Sequence, residues 1–244
     1  MVKRLRRNKM NKLEMVYEGK AKRVFRTDSP DYFIIQYKDD ATAFNGQKKG
    51  TIAGKGVVNN IMSNILFKYL EESGIPTHFV EQLSEGETLV KAVTILPLEV
   101  IIRNVSAGSF SKRYGVSEGI PFAHPTLEFS YKKDELGDPL INDDHILALE
   151  LATKEQLDRI RTYALEINRL LIRFFKECGL KLIDFKLEFG LSKSHIILAD
   201  EISPDTCRLW DIETNEKMDK DRFRRDLGNV EETYQAVLAR ITNK

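Results

Sequence analysis

One long amphipathic helix, predicted over Lys154–Cys178, constrains the fold of this chain more than any other segment. Thr153 and Gln156 have the spacing of a capping box, and Gly179 follows as a helix-ending glycine. The apolar residues recur every three or four positions, as one continuous stripe: Leu157, Ile160, Ala164, Ile167, Leu171, Phe174 and Cys178. Such a stripe has to be covered, so we assign it to the core or to a subunit interface.

Short strands and a second helix are predicted on the amino-terminal side of residue 94. The helix covers Val57–Ser73 and is preceded by a polar loop over Lys38–Gly54. The strands are Met15–Glu18, Lys22–Thr27, Tyr32–Tyr37, His78–Leu83 and Thr88–Val93. We therefore predict an α+β protein of two lobes with a cleft between them, one lobe over residues 15–93 and the other over residues 94–244.

Composition excludes several classes of protein. The chain is 42% hydrophobic and 31% charged, typical of a soluble globular protein. No apolar run approaches the roughly 20 residues that span a bilayer, so no membrane partner is expected. Cys178 and Cys207 form no C-x-x-C motif, which fits a reducing cytoplasm, and the four histidines lack metal-ligand spacing.

Positive charge is concentrated at the amino terminus. Residues 1–14 carry six bases and one acid, a net +5, which leaves −4 for residues 15–244 out of the total of +1. We predict a basic disordered extension over residues 1–14. The mildly acidic remainder gives no support for nucleic-acid binding.

The most informative segment for chemistry is Leu182–Gly190, L-I-D-F-K-L-E-F-G. In a strand, alternate side chains share a face, so Asp184, Lys186 and Glu188 would lie together. Two carboxylates beside a lysine meet the needs of magnesium–nucleotide chemistry, which uses hard oxygen ligands and an ammonium for phosphate or carboxylate oxygens. The alternative is an ordinary solvated strand face.

Asp200 is the second candidate carboxylate, at the end of the strand predicted over His195–Ile202. If the connection between the two strands has three residues, Ser192–Ser194, then Lys186 pairs opposite Asp200 and Glu188 lies one step along the same face. A two-residue turn would put Asp200 on the wrong side of the sheet. The prediction therefore depends on the turn.

A glycine turn with two lysines, Gly19-Lys20-Ala21-Lys22, lies between two predicted strands. Its backbone N–H groups and ammonium charges could cover the phosphates of a nucleotide, although a plain charged hairpin has the same pattern. The similar-looking Gly54-Lys55-Gly56 is not a P-loop, because Lys49 stands where its first glycine would be and Gly56 replaces the Ser or Thr.

An anion pocket is predicted where the apolar strand Leu98–Val105 ends. Arg103 offers a bidentate fork, and Ser109 lies at a predicted helix start whose amides, over Phe110–Tyr114, add donors. Arg208 is the natural second arginine. An exposed strand end followed by a capping serine is the alternative.

Two long segments of the chain resemble the signature segments of the SAICAR synthetase family. They are I-L-P-L-E-V-I-I-R-N-V-S-A-G-S, from Ile95 to Ser109, and L-I-D-F-K-L-E-F-G. The resemblance covers about residues 15–242 and also includes Tyr17–Lys22, Lys55–Asn60, Asp200–Asp205, Arg208–Asp211 and Lys217–Phe223. Only the basic extension departs from the family pattern.

The resemblance implies a reaction and a fold. The family joins carboxyaminoimidazole ribonucleotide (CAIR) to L-aspartate, using ATP and Mg²⁺, and releases SAICAR, ADP and phosphate. Its two-lobed fold is similar, in the nucleotide-binding part, to protein kinases and ATP-grasp enzymes. Bacterial members are usually homodimers in the cytoplasm.

The resemblance also assigns roles to residues of this chain. It implies that Glu188 and Asp200 hold Mg²⁺ and act with Lys186 in catalysis. ATP would contact Gly19, Lys20, Ala21, Lys22 and Val24, with the Lys91–Ile95 stretch, including Lys91 and Ile95, as a hinge against adenine.

The substrate site is implied in the same way. Arg103, Ser109 and Arg208 would bind the 5′-phosphate of CAIR, and Asp184 and Lys186 would contact its ribose or carboxylate. Charge, rather than the resemblance, suggests the aspartate site: the two carboxylates of aspartate call for further bases, and Lys132, Lys220 or Arg224 are candidates.

Two other functions compete with the ligase. A kinase would use the same nucleotide cleft, but it would want a catalytic H-R-D-type segment, which the sequence lacks. A nucleic-acid-binding module would work through the basic extension and would predict a basic body. Deleting residues 1–12 separates the ligase from the nucleic-acid-binding module, since the ligase should keep its activity and the binding module should lose its function.

Overall fold

The structure, a computed structural model, describes residues 10–43 and 46–244 and has an α+β fold. The strands are β1 (Lys12–Glu18), β2 (Lys22–Thr27), β3 (Tyr32–Tyr37), β4 (Asp40–Ala43), β5 (Lys48–Thr51), β6 (Phe79–Gln82), β7 (Glu87–Lys91), β8 (Thr94–Val105), β9 (Pro121–Tyr131), β10 (Leu140–Ile141), β11 (Leu180–Ser192), β12 (His195–Ala199) and β13 (Cys207–Asp211). The helices are α1 (Lys55–Glu72), α2 (Gly108–Tyr114), α3 (Asp143–Ala148), α4 (Lys154–Glu177), α5 (Asp221–Arg224) and α6 (Val230–Thr242), with a 3-10 turn at Asp134–Leu136.

The first sheet has five strands in the order β1-β2-β3-β7-β6, and α1 packs on it. The predicted bounds of β2 and β3 are confirmed. Strand β1 begins at Lys12, so residues 12–14 of the predicted extension are strand, and residues 1–9 lie outside the described residues. Within the predicted Lys38–Gly54 loop, β4 and β5 form an antiparallel hairpin.

The second sheet is built around β11, which pairs with β8, β12 and β13. Strand β9 continues the sheet beyond β8. The register places Asp184 opposite Arg103 on one side and opposite Arg208 on the other. Three charged residues far apart in the sequence are therefore neighbours across three adjacent strands.

Helix α4 covers the second sheet and packs against β11, β8 and β12. The capping box at Thr153 and Gln156 is confirmed, and Gly179 follows with a φ of 69°. The apolar stripe of α4 is buried in the core, as are the alternate β11 residues Phe185, Leu187 and Phe189. Leu182 joins the same core from before the register shift in the pairing of β11 with β13. None of the helices in the described part of the chain is long and apolar enough to cross a membrane.

Candidate active site

Two carboxylates and three lysines meet where β11 and β12 end their pairing. Glu188 is buried and accepts hydrogen bonds from Lys186 at 2.7 Å and from Lys132. Asp200 pairs with Lys22 and lies 3.9 Å from the Lys186 ammonium. Lys186 thus bridges the two carboxylates, and the three predicted catalytic residues are adjacent.

Asp200 reaches this cluster by a route other than the predicted register. Ser192 pairs with His195, so the turn has two residues, Lys193 and Ser194, with φ of 48° and 70°. The three-residue connection is therefore wrong, and strand alternation would send Asp200 to the opposite face. Asp200 itself has a φ of 63°, however, which ends the alternation and turns its side chain toward Lys22 and Lys186.

The charges of this cluster stabilise one another. Burial disfavours the charged form of Lys22, but the carboxylates of Asp200 and Glu201 outweigh it and hold the lysine pKa above its ordinary value. Burial likewise opposes the charges of Lys186 and Asp200. Neighbouring carboxylates raise the pKa of Lys186, and neighbouring lysines lower that of Asp200. All three groups are therefore ionised at neutral pH.

An alternating row of arginines and carboxylates lies beside the first cluster. Arg103 is 2% exposed and donates to both oxygens of Glu128, each at 3.1 Å, and to Asp184 at 2.9 Å. Its Nη2 also donates to the Ser109 hydroxyl at 3.1 Å. Arg208 donates to both oxygens of Asp184, at 3.0 and 2.9 Å. The two predicted phosphate-binding arginines thus share Asp184.

A cavity of 340 Å³ opens in front of this row. Its charged lining comprises six basic side chains and three carboxylates, a net +3: Lys20, Arg103, Lys186, Arg208, Lys220 and Arg224, with Glu99, Asp184 and Asp205. Ser109 lies on the same wall. The cavity is therefore suited to an anion with several charges.

Asp205 organises one end of this cavity, and sequence reasoning gave it no role of its own. Its Oδ2 accepts from Lys55 and from Lys220, each at 3.0 Å, and its Oδ1 accepts from the Tyr234 hydroxyl at 2.7 Å. These contacts join α1 and α6 to the segment after β12. Lys55 belongs to the Gly54-Lys55-Gly56 segment that does not match a P-loop, and its wholly buried side chain forms an ion pair with Asp205.

The Gly19–Lys22 turn is formed as predicted, with the Gly19 N–H donating to the Lys22 carbonyl at 2.8 Å. The side chain of Lys22 points to Asp200, and that of Lys20 donates to Asp134 at 2.8 Å. Lys20 also lines the 340 Å³ cavity. The turn therefore joins the first sheet to the candidate site on the second.

The residues predicted to surround adenine lie apart from this cavity. Val24 is in the middle of β2, and Lys91 ends β7 with its ammonium donating to the Thr77 carbonyl at 2.8 Å. Ile95, near the start of β8, is 37% exposed and lies opposite Gly190. Their contact with a nucleotide remains a prediction.

Besides Asp205, sequence reasoning gave no role to three carboxylates of the site: Glu99, Glu128 and Asp221. Glu99 accepts from Lys186 at 3.0 Å, and its position within the I-L-P-L-E-V segment was the available signal. Glu128 lies on β9, a strand that the periodicity did not reveal. Asp221 accepts from Arg208 at 3.0 Å and was visible only as part of a polar, charged segment.

The donor set of Glu188 and Asp200 fits a magnesium ion that arrives with a nucleotide. Both offer hard carboxylate oxygens, and Mg²⁺ is commonly bound by one or two carboxylates together with phosphate oxygens and water. Over residues 10–43 and 46–244 there is no cluster of three or more metal-binding side chains. The described residues therefore do not form a metal site that is complete without ligands from a bound molecule or water.

Comparison with known proteins places this geometry in a family. The family model described as SAICAR synthetase matches residues 15–241. The chain is 63% identical to a phosphoribosylaminoimidazole-succinocarboxamide synthase from Lachnoclostridium phytofermentans, over 95% of this chain and 99% of that protein.

Solved structures give the same answer. The crystal structure of phosphoribosylaminoimidazole-succinocarboxamide synthase from Ehrlichia chaffeensis has a TM-score of 0.92 at 49% identity, covering 94% of this chain and 98% of that one. A SAICAR synthetase in complex with ADP has a TM-score of 0.91 at 46% identity, covering 95% and 98%. With a family model over nearly the whole chain and relatives of this identity, the chain belongs to the SAICAR synthetase family.

Proposed function

We propose that this chain is an ATP-dependent ligase of purine biosynthesis, which joins CAIR and L-aspartate to give SAICAR, ADP and phosphate. The observation that carries the proposal is the positively charged cavity directly beside the Glu188–Lys186–Asp200 cluster. One part suits an anionic ribonucleotide, and the other suits a nucleotide triphosphate with its metal. The ADP complex of a similar protein supports the use of ATP.

The proposed substrate site uses the alternating row of charges. Arg208 and Ser109 would bind the 5′-phosphate of CAIR, and Arg103 would stabilise the same group from behind. Arg103 already has four hydrogen bonds, to Glu128, Asp184 and Ser109, so its fork is not free in this structure. Its Ser109 contact is the one that a phosphate oxygen can replace most directly, because Ser109 is exposed.

The proposed nucleotide site combines the Gly19–Lys22 turn with the two carboxylates. Lys20 and Lys22 would contact phosphates, and Val24, Lys91 and Ile95 would surround the adenine. Glu188 and Asp200 would hold Mg²⁺, which would neutralise phosphate charge when bound. Lys22 pairs with Asp200, so the lysine and the carboxylate would exchange partners when a metal nucleotide binds.

The chemistry that these residues support is carboxylate activation. A carboxylate resists attack by an amine until one of its oxygens becomes a leaving group. In-line attack of the CAIR carboxylate on the γ-phosphorus releases ADP and gives an acyl phosphate, and Lys186 stabilises the crowded negative charge. The aspartate amine then attacks the acyl carbon, phosphate leaves, and the nitrogen loses a proton. Lys186 can contact the reacting carboxylate because it is ionised and lines the cavity.

We further propose the arrangement of the whole protein. The two sheets correspond to a nucleotide-binding lobe over residues 15–93 and a substrate lobe over residues 94–244, related to the lobes of protein kinases and ATP-grasp enzymes. The chain would act as a homodimer in the cytoplasm, with small molecules rather than nucleic acid or membrane as partners. Light scattering of the purified chain tests the dimer.

A coupled assay of ADP release tests the proposed function. ADP should form only when CAIR, L-aspartate and Mg²⁺ are present with ATP, and the product should gain the mass of aspartate less water. Omission of each substrate in turn is the control. Rapid ATP turnover with an unrelated hydroxyl acceptor, and none with CAIR and aspartate, would refute the ligase in favour of a kinase.

A further inference from the structure

Asp221 contacts three arginine side chains, two of which line the cavity, and none of the roles assigned above uses it. Its side chain is 1% exposed. Oδ2 accepts from Arg208 Nε at 3.0 Å, and Oδ1 accepts from Arg224 Nη1 at 2.6 Å. Arg225 Nη2 lies 3.5 Å from Oδ2. Since Arg208 and Arg224 line the cavity, one buried carboxylate contacts two of its six basic side chains.

The contact with Asp221 determines how the guanidinium of Arg208 is turned. Nε donates to Asp221, and Nη1 donates to both oxygens of Asp184. Nη2 makes no hydrogen bond to the described residues and lies against Gly108, where an added Cβ would collide with it. A planar guanidinium held along two edges cannot rotate, so Asp221 and Asp184 together set the direction of the remaining N–H groups.

Asp221 is itself fixed to the strand that carries Arg208. Its backbone N–H donates to Asp219 Oδ1 at 2.7 Å, and Asp219 Oδ2 accepts from the Leu209 N–H at 2.9 Å. Asp219 is fully buried. The start of α5 is therefore tied to β13 next to Arg208, and Asp221 has little freedom to follow a displaced guanidinium.

We propose that Asp221 is a positioning residue for recognition of the substrate phosphate. It acts through Arg208, whose guanidinium it orients toward the cavity, and so sets the preference for a phosphorylated ribonucleotide over the same compound without phosphate. The inference rests on the proposed function, in which Arg208 contacts the 5′-phosphate. Asp221 does not itself touch the substrate.

Charge alone predicts the opposite effect of removing Asp221 on phosphate binding. Asp221 is a negative group beside three arginines, so removing it makes this end of the cavity more positive and should strengthen the binding of any anion. Loss of orientation should instead weaken the binding of a phosphate that is recognised by paired hydrogen bonds. The sign of the change therefore separates the two explanations.

The test compares Asp221→Asn with a matched control, Asp211→Asn. Asp211 is the last residue of β13, the strand that carries Arg208, and it also accepts a hydrogen bond from an arginine, Arg240, at 2.8 Å. Neither Asp211 nor Arg240 lines the cavity. In Asp221→Asn, we expect KM for CAIR to rise about 10- to 100-fold, as for loss of a charged hydrogen-bonding contact. The KM for ATP should stay unchanged, and so should the phosphate preference of Asp211→Asn.

The phosphate preference is measured as kcat/KM for CAIR divided by kcat/KM for phosphate-free CAIR, and it should fall by the same factor in Asp221→Asn. In an Arg208→Lys background the substitution should add little, because the residue through which it acts has already changed. If Asp221→Asn shows no cooperative thermal unfolding, Asp221→Glu replaces it, since it keeps the charge and misplaces the carboxylate; the preference should again fall.

An unchanged or increased phosphate preference in the folded variant would overturn the positioning role. An equal effect of Asp221→Asn with and without the Arg208→Lys change would overturn its action through Arg208. If the wild-type protein releases no ADP in response to CAIR, the proposed function fails first, and that result is distinct from either of these.

Discussion

Asp200→Asn offers the sharpest test of the proposed metal site, because the structure supplies both a clean substitution and a control. Asp200 has a φ of 63°, a left-handed conformation that asparagine tolerates better than most residues. The change therefore removes the charge with little strain in the backbone. It also leaves Lys186 paired with Glu188 at 2.7 Å and with Glu99 at 3.0 Å, so the lysine does not become an isolated buried charge.

The magnitude follows from the contacts that Asp200 makes. It is one of only two carboxylates in the cluster proposed to hold Mg²⁺, and loss of a preorganised electrostatic contact of this kind costs about 10²–10³ in rate, or about 2.7–4 kcal/mol. We expect kcat to fall by that factor. Glu188→Gln should lose activity on the same scale, because it removes the other carboxylate.

Nucleotide affinity gives a measurement that does not depend on turnover. Calorimetric titration with ADP, with and without Mg²⁺, yields the factor by which the metal strengthens binding. In Asp200→Asn that factor should fall about 10- to 100-fold, the range seen even for residues behind a metal ligand. Binding of metal-free ADP should not weaken, because Lys22 is released from Asp200 and becomes available to phosphate.

Asp226→Asn is the matched control. Asp226 also has a left-handed φ, 54°, and also pairs with a lysine, Lys48, at 2.6 Å, but it is 85% exposed on the surface. Its variant should keep both the rate and the magnesium effect. If Asp200→Asn retained the wild-type magnesium effect, the metal would have to be held elsewhere, and the reasoning from the shared cluster would be refuted.

Three further predictions use other parts of the structure. Arg103→Lys should raise KM for CAIR about 5- to 150-fold and lower the melting temperature, with little further loss on phosphate-free CAIR; an equal loss on both substrates would make Arg103 purely structural. Gly108→Ala should also raise KM for CAIR, because a Cβ would displace Arg208, and an unchanged KM would show that the guanidinium can shift freely. Burial and the nearby Lys22 charge lower the pKa of His78 from 6.5 to about 3. The stability that neutral His78 contributes is therefore fully present above pH 6.5 and is lost as the pH falls toward 3. The loss amounts to about 2 kcal/mol at pH 5. His78→Gln should remove this loss in urea unfolding at pH 7 and pH 5, whereas the exposed His195→Gln should not, and identical pH dependence in all three proteins would contradict the assignment.

Periodicity predicted the elements whose pattern is local. The α4 helix, the bounds of β2 and β3 and the charged face of β11 all depend on the spacing of side chains within one segment. Strand β9 was missed because its exposed and buried residues do not alternate: its first five residues are mostly exposed. The hairpin within Lys38–Gly54 was missed because its strands are four residues each and mostly polar.

The candidate site shows the same division. Asp184, Lys186 and Glu188 were predicted as neighbours because strand alternation alone brings them together. Asp200 was placed by a wrong turn length and still reached the cluster, because a left-handed residue at the strand end reverses the expected face. No spacing rule contains that reversal.

Partners from distant segments could not be predicted by any local rule. Arg103 and Asp184 are 81 residues apart, and Lys55 and Asp205 are 150 residues apart. Their contacts depend on which strands and helices become neighbours. Sequence reasoning therefore supplied the cations of the cavity but not most of the carboxylates that orient them.

Strand β11 carries the charged face of the site while being paired along its length with three other strands. Its amides should therefore exchange with solvent only when the whole second sheet opens. The Gly19–Lys22 turn instead follows β1, an edge strand whose residues are exposed throughout. On mild heating, the Gly19–Lys22 turn should loosen first. If that turn covers the phosphates of ATP as proposed, activity should disappear while β11 is still protected and its charged face is still intact.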